Sequence, residues 1–316
     1  MNLEEFKLKY QKQPVIEYSN SVTETPLVSV CVQTYQHVKY IERCLKGILM
    51  QKTSFPFEIL LGEDASTDGT RKICLEYAKK YPDKIKLFLH HRENNIKING
   101  KPSGRFNFGF NLFNSKGKYI ALCEGDDYWT DPLKLQKQVG FLESNNNIVI
   151  CGTQTKKLNK ENVLEEIFNT SFIEKNEVFY SRKDVLKKNP FDTCSVVFKN
   201  GQFPKELFLN YNAPDWILYL FLLKKGMGCI LKDITAVYNY HGNGIASTLT
   251  HITYLQYRLH DRMLLMKNSK LIDKNIIKKA GIILIWNYIK QAIRWRKEFI
   301  IALYSNRKLI IKFILN

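Results

Sequence analysis

The pattern of apolar and polar positions changes at Pro26. Residues 1–25 are polar and charged and predict a peripheral helix or arm. Residues 27–32 form a short β-branched run, which suits a buried strand. Between His37 and Gln51, apolar Ile41, Leu45, Ile48 and Leu49 fall on one helix face. Residues 57–61 repeat the strand pattern and 68–80 the helical one, with Ile73, Leu75, Tyr77 and Ala78 available for packing. A third strand is expected at 85–89. After a polar loop, a helix is expected at 106–114 and a fourth strand at 118–123. This alternation predicts a doubly wound α/β sheet whose ligands sit at the carboxyl ends of the strands. Residues 150–250 break the alternation and read as aromatic-rich short strands and loops, whereas 251–316 read as almost wholly helical. No internal repeat or low-complexity tract is evident.

Composition narrows the picture. A chain of 316 residues with 45% hydrophobic and 13% aromatic content can bury a large core, which excludes disorder as its main state. The net charge of +18 calls for an anionic partner: nucleic acid, phosphorylated substrate or acidic lipid. Much of the excess lies in 251–316, where 14 Lys and Arg face three Asp and Glu. The seven cysteines are odd in number, scattered and without a Cys-x-x-Cys pair, so neither a zinc ribbon nor a disulfide scaffold is expected. A reducing, cytoplasmic compartment follows. Glu4 and Glu5 with no apolar segment argue against a secretory signal. The longest apolar run, 280–286, is far too short to span a membrane.

The strand-end rule directs attention to three stretches. The first strand runs into Gln33-Thr34-Tyr35, and the second into Glu63-Asp64-Ala65-Ser66-Thr67-Asp68-Gly69-Thr70. Acids followed by a Ser/Thr/Gly turn can hydrogen-bond a base or ribose, although Asp68 is equally suited to cap the next helix. Asp64 follows an apolar strand, where a carboxylate needs a partner. The fourth strand ends at Glu124-Gly125-Asp126-Asp127-Tyr128-Trp129. Three carboxylates within four residues repel one another. They form either a solvated acidic turn or a seat for a hard divalent ion, Mn²⁺ or Mg²⁺, which also binds phosphate oxygens.

Together, Val28-Ser29-Val30 with Thr34-Tyr35, the segment from Glu63 to Thr70, and the segment from Gly117 to Trp129 resemble the family 2 glycosyltransferases, nucleotide-sugar enzymes of the GT-A fold. The order and spacing of three motifs make the resemblance specific over 26–145, and it continues more loosely to about 250. It implies a GT-A Rossmann-like, mostly parallel sheet flanked by helices. Residues 26–150 would bind a nucleotide-diphospho-sugar donor and 151–250 an acceptor, with a basic helical extension at 251–316. Carried over position by position, it implies that Thr34 and Tyr35 contact the nucleotide, with Tyr35 packing on the base. Asp64 would bind the base edge, Asp126 the ribose, and Asp127 a diphosphate-bound Mn²⁺ or Mg²⁺. Gln33 stands where the family usually has Pro, and Glu124 is the first acid of the metal motif. The family's Arg-Asn pair is matched at most by Arg105 and Asn107.

Ala213-Pro214-Asp215-Trp216-Ile217 resembles the segment holding the family's catalytic base; a helix N-cap is the alternative role for Asp215. Tyr240-His241-Gly242-Asn243-Gly244 resembles the later His-Gly segment that can return to the metal, although a lone His is often structural. Trp129 and Trp216 are expected to contact the acceptor. The resemblance thus implies inversion at the anomeric carbon with Asp215 as base and a glycan or lipid-linked acceptor. The Lys-, Ile- and Asn-rich composition is that of an AT-rich bacterial genome and points to surface polysaccharide or glycolipid assembly. The tail mixes Ile, Leu, Phe and Trp with basic residues. It suits either an anionic membrane surface, placing the protein peripherally at the inner face, or an ordinary packing helix with a solvated basic face. Two rival readings are an inactive nucleotide-sugar binder of the same fold, and a nucleic-acid-binding protein inferred from charge alone. No recognised nucleic-acid module supports the latter.

Overall fold

The computed structural model describes the chain except residues 24, 99, 160, 162, 167–174, 205–207, 209, 243–248, 268–273, 294–296 and 316. Its first half follows the predicted alternation. Helix α1 (Leu3–Tyr10) and the short β1 (Ile16–Glu17) lead into β2 (Val28–Thr34), α2 (Ile41–Leu49), β3 (Phe57–Glu63), α3 (Thr70–Lys80) and β4 (Ile85–Leu89). A small hairpin of β5 (Lys97–Ile98) and β6 (Lys101–Pro102) precedes α4 (Arg105–Asn114), β7 (Tyr119–Leu122), β8 (Tyr128–Trp129) and α5 (Lys134–Ser144).

The second half contains longer strands than the sequence predicts. It comprises β9 (Ile148–Leu158), β10 (Leu164–Glu166), β11 (Glu177–Tyr180), α6 (Arg182–Lys187), β12 (Val197–Lys199), α7 (Pro214–Leu222) and β13 (Met227–Asn239). Helices α8 (His251–Lys267), α9 (Lys274–Ile293), α10 (Lys297–Ser305) and α11 (Arg307–Leu315) follow. The strand order is β1-β4-β3-β2-β7-β12-β9-β13-β11, with β10 on β9 and β8 on β13. The pairs β2–β3, β3–β4, β2–β7 and β9–β13 are parallel. Because β12 is antiparallel to both β7 and β9, the sheet is mixed, with its longer pairings parallel.

Alternation along β2 sorts the core into two layers. Val28, Val30 and Val32 pack with α2, α3 and α5 on one face, through Ile41, Leu45, Cys74, Leu135 and Val139. Cys31 and its neighbours Leu60, Ile120 and Leu122 point to the other face, against α4, α6 and α7. That second layer continues into Leu255, Leu259, Ile277 and Phe313 of the C-terminal helices. The N-terminal arm is not merely peripheral. Phe6 of α1 is fully buried, its ring 5.2 Å from that of Phe106 and 4.9 Å from that of Phe208. All seven cysteines are buried thiols.

His90, just after β4, is buried with neither ring nitrogen hydrogen-bonded, and Phe106 and Phe110 pack edge-on against it. Burial, reinforced by the Arg71 charge, pushes its pKa down to about 3. The unfolded chain binds this proton near pH 6.5 and the folded chain does not. Stability contributed by neutral His90 is therefore complete above pH 6.5 and is lost as pH falls towards 3. At pH 5 the loss is about 2 kcal/mol, from 1.36 kcal/mol per pH unit below 6.5. His90→Phe should flatten this part of the acid-unfolding profile, measured by urea denaturation between pH 7 and 4.

Candidate active site

The site forms where β3, β2 and β7 end side by side. The amide of Asp64 donates to Thr34 O at 3.1 Å, and that of Gly125 to Gln33 O at 2.9 Å. Consecutive carbonyls of β2 thus fix the loop after β3 on one side and the loop after β7 on the other. A Cβ at Gly125 would lie 2.7 Å from Thr34 Oγ1 and 2.8 Å from Thr34 Cβ, so the glycine permits this close approach. The Thr34 hydroxyl is buried with no hydrogen-bond partner. A second stitch comes from Gln36, at φ 56°, whose Oε1 accepts the Thr67 and Asp68 amides at 3.0 Å each. Asp68 is not the N-cap of α3, which is Gly69, although its Oδ1 accepts the amide of the first helical residue, Thr70, at 3.0 Å and its hydroxyl at 2.7 Å.

Asp64 is buried and held by residues the sequence reading did not single out. Arg92 pairs with its Oδ2, and Asn95 Nδ2 lies 3.1 Å from both carboxylate oxygens. Burial raises the Asp64 pKa, and Asn95 and Arg92 oppose the rise. The Arg92 guanidinium also stacks 3.9 Å from the centre of the Tyr35 ring, which is 39% exposed. Tyr35, Arg92 and Asp64 therefore form one aromatic, hydrogen-bonding corner. Arg92 and Asn95 lie just beyond the carboxyl end of β4, where the strand-end rule could have found them. Arg105 and Asn107 are both buried on α4. The Arg105 guanidinium holds Tyr211 O, and Asn107 Nδ2 donates to Gly62 O at 2.7 Å.

The acids after β7 each have a different neighbour. Asp126 Oδ2 lies 3.0 Å from His241 Nε2 and 3.8 Å from His37 Nε2. Burial would raise its pKa, but the His241 hydrogen bond and the charges of His37 and His241 hold it below the usual range. His241 stacks on Tyr40 at 4.7 Å. Pairing of β8 with β13 brings the distant His241 here, and Asp127 Oδ1 accepts the Asn239 amide at 2.8 Å. Burial, with Asp126 and Glu124 beside it, pushes Asp127 well upward, and burial with Asp126 and Asp215 raises Glu124 to about 8. Asn243 and Gly244 of the same motif lie outside the described residues.

Asp215 occupies the first turn of α7, behind Pro214. Its charge acts on Glu124, so the two carboxylates lie near each other. Burial raises its pKa, partly offset by the Trp216 amide and Arg258. Asn189 Nδ2 lies 3.4 Å from its Oδ2. The two tryptophans depart from the expected acceptor contact. Trp129 is buried with its indole N–H on Cys194 O, and Trp216 is buried with its N–H on Val185 O, each at 2.8 Å. Both rings are packing elements whose polar edges are already used.

Crowded carboxylates that raise one another's pKa, beside an unpartnered hydroxyl, fit a hard divalent cation. Among the described residues no group of three His, Cys, Asp or Glu side chains is arranged to hold an ion unaided. Ligand phosphate oxygens would have to complete such a shell, as is usual for Mg²⁺.

Comparison with known proteins identifies the family. The profile of Glycosyl transferase family 2 matches residues 29–200, more than half the chain. The chain belongs to that family. An uncharacterized protein of Mycobacterium tuberculosis is 33% identical over 218 residues, 69% of this chain and 60% of its own length. The match to that relative thus spans less than two thirds of it. TuaG of Bacillus subtilis, named for teichuronic acid biosynthesis, is 26% identical over 80% of this chain and 97% of its own. Among solved structures, the mannosyltransferase PcManGT of Pyrobaculum calidifontis, in complex with GDP-Man and Mn²⁺, superposes with a TM-score of 0.58. It shares 18% identity over 97% of this chain and 81% of its own, a likeness that establishes the GT-A fold.

The close approach at the centre of this family 2 site is directly testable. Gly125→Ala should lower stability by about 1–3 kcal/mol through overpacking against Thr34, read from urea denaturation. An unchanged midpoint would mean that the two loops are not in contact.

Proposed function

We infer that the chain is an inverting glycosyltransferase that moves a sugar from a nucleotide-diphosphate donor to an acceptor hydroxyl, in bacterial surface polysaccharide or glycolipid assembly. The observation that carries this reading is the Tyr35–Arg92–Asp64 corner at strand ends adjoining the acids after β7, with Asp215 near enough for its charge to act on Glu124. Residues 26–150 would hold the donor and 151–250 the acceptor. The base stacks on Tyr35 and its polar edge meets Asp64, while Thr34 and Asp126 face the ribose. Asp127 and His241, completed by the donor's phosphate oxygens, would hold a divalent cation, Mn²⁺ or Mg²⁺, which when bound neutralises charge on the departing diphosphate.

Asp215 takes the proton of the acceptor hydroxyl as its oxygen bonds to the anomeric carbon and the bond to the diphosphate oxygen breaks on the opposite face. Burial favours this role, because a carboxylate with a raised pKa is a stronger base. The inactive-binder reading lacks support, since Asp64, Asp126, Asp127 and Asp215 are all in place. With Mn²⁺, a panel of UDP- and GDP-sugars screened by thermal shift identifies the donor. Asp215→Asn should then lower transfer by about 10²–10⁴-fold, the range of general-base catalysis, while leaving donor affinity nearly unchanged. Asp127→Ala should weaken both. Full turnover by Asp215→Asn would assign the base elsewhere.

The acceptor end of this reading includes an anionic lipid surface. No helix among the described residues is long and apolar enough to cross a membrane. Helix α9 buries Ile277, Ala280, Gly281, Ile285 and Tyr288, yet its opposite face shows Ile282, Trp286 and Ile293 beside Lys279 and Lys290. Trp286 is 54% and Ile293 68% exposed. An apolar stripe edged by lysines, in the most basic fifth of the chain, suits the headgroup region of anionic lipid. The buried free cysteines are in keeping with the cytoplasmic side. The full chain should sediment with phosphatidylglycerol vesicles more than with phosphatidylcholine vesicles. Replacing Ile282, Trp286 and Ile293 by Ser should abolish the difference. If those changes instead dissolve a dimer without altering vesicle binding, the stripe is a subunit contact.

A further inference from the structure

The turn that delivers Asp215 is gripped from two sides. On one side, the buried Arg105 guanidinium of α4 holds the carbonyl of Tyr211. On the other, fully buried Asp261 of α8 receives three hydrogen bonds. Its Oδ1 accepts the Asn212 amide and side-chain N–H, each at 2.8 Å, and its Oδ2 accepts the Ala213 amide at 3.1 Å. Pro214 has no amide hydrogen, so Asn212 and Ala213 supply the last backbone donors before Asp215.

The neighbouring residue reinforces the grip. Arg262 Nη2 donates to Leu186 O at 3.0 Å, and its guanidinium lies 5.0 Å from the ring of Trp216, the residue after Asp215. Arg258, one helical turn earlier, lies 5.4 Å from the same ring, and its charge helps keep Asp215 ionised. A buried carboxylate holding two backbone amides and a side chain fixes that turn far better than van der Waals contact can.

We propose that Asp261 is a positioning residue for Asp215, so that the helical segment beyond residue 250 completes the active site. The inference rests on Asp215 being the base and adds that its placement depends on a helix outside the matched family region. Displacement of a reacting group by about 1 Å can cost about 100-fold in rate. Asp261→Ala should therefore lower kcat by about 100-fold. Asp261→Asn, which keeps one acceptor, should lower it by about 10-fold. The affinity for the donor, held at the far end of the crevice, should be unchanged in both. The readout is nucleoside diphosphate release from UDP-GlcNAc or GDP-mannose, whichever the unaltered protein turns over. Hydrogen exchange at the Asn212 and Ala213 amides, which needs no substrate, should quicken in both variants.

A double-mutant cycle with Asp215→Asn separates the inference from the reading beneath it. If Asp261 acts through Asp215, Asp261→Asn costs nothing further in the Asp215→Asn background. Equal losses in both backgrounds, or unchanged kcat with unchanged amide exchange, would overturn the inference. Full activity of Asp215→Asn alone would remove the base reading and leave Asp261 no catalytic group to position. Should Asp261→Ala not fold, Asp261→Asn with the exchange measurement decides the matter.

Discussion

The site depends on one constraint: β3, β2 and β7 run parallel and stop together, and the last carbonyls of β2 are taken by amides from both neighbours. That arrangement collects Glu63, Asp64, Glu124, Asp126 and Asp127 around a single strand end. Two unit charges 4 Å apart cost about 4 kcal/mol at an effective dielectric constant of 20, so such a cluster has to be managed group by group. Glu63 is tied to Arg71 and the Ser66 amide, Asp64 to Arg92 and Asn95, and Asp126 to His241. Glu124 and Asp127 instead have raised pKa values. The peripheral carboxylates are thus paired, whereas burial pushes the central ones towards the protonated form, a shift that a bound cation would reverse.

Rigidity behind the site comes from α4. Asn107 donates to Gly62 O at 2.7 Å, while Asn111 donates to Val32 O at 3.0 Å and Leu60 O at 3.1 Å. A Cβ at Gly62 would overlap the Asn107 amide, so the glycine just before the second motif is required by a helix 45 positions away. Its role is close packing rather than a turn. These buried amides, with the Arg105 contact to Tyr211 O, tie α4 to the ends of β2 and β3 and to the turn before Asp215.

Much of the first half was legible because its strands are apolar and its helices short and periodic. The 85–89 strand coincides with the prediction, and the others differ by a residue or two at their ends. The second half was obscured by its own chemistry. Strands β9 and β13 are parallel neighbours, but Thr153 and Thr235 meet between them with hydroxyl oxygens 2.7 Å apart, breaking the apolar signature of a buried strand. Trp129, at the end of the acidic motif, was expected to contact the acceptor, whereas it is buried on β8, which pairs with β13. Pairing between segments 100 residues apart leaves no local pattern to read.

The C-terminal segment shows the same limit from the opposite direction. Its charge drew attention to the basic residues, yet one of its few acids makes the closest link to the site. An acid placed among many cations is easily read as surface neutralisation. Burial of Asp261 against two backbone amides instead makes its position in α8 essential to the turn before Asp215. Helix α8 packs through Leu255 and Leu259 into the core shared with α7, while α9 turns its exposed stripe away from its own buried face. The two helices therefore divide the labour of the tail. One is committed inward to the turn before Asp215, the other keeps an exposed apolar face, and a truncation near residue 250 would disturb both at once.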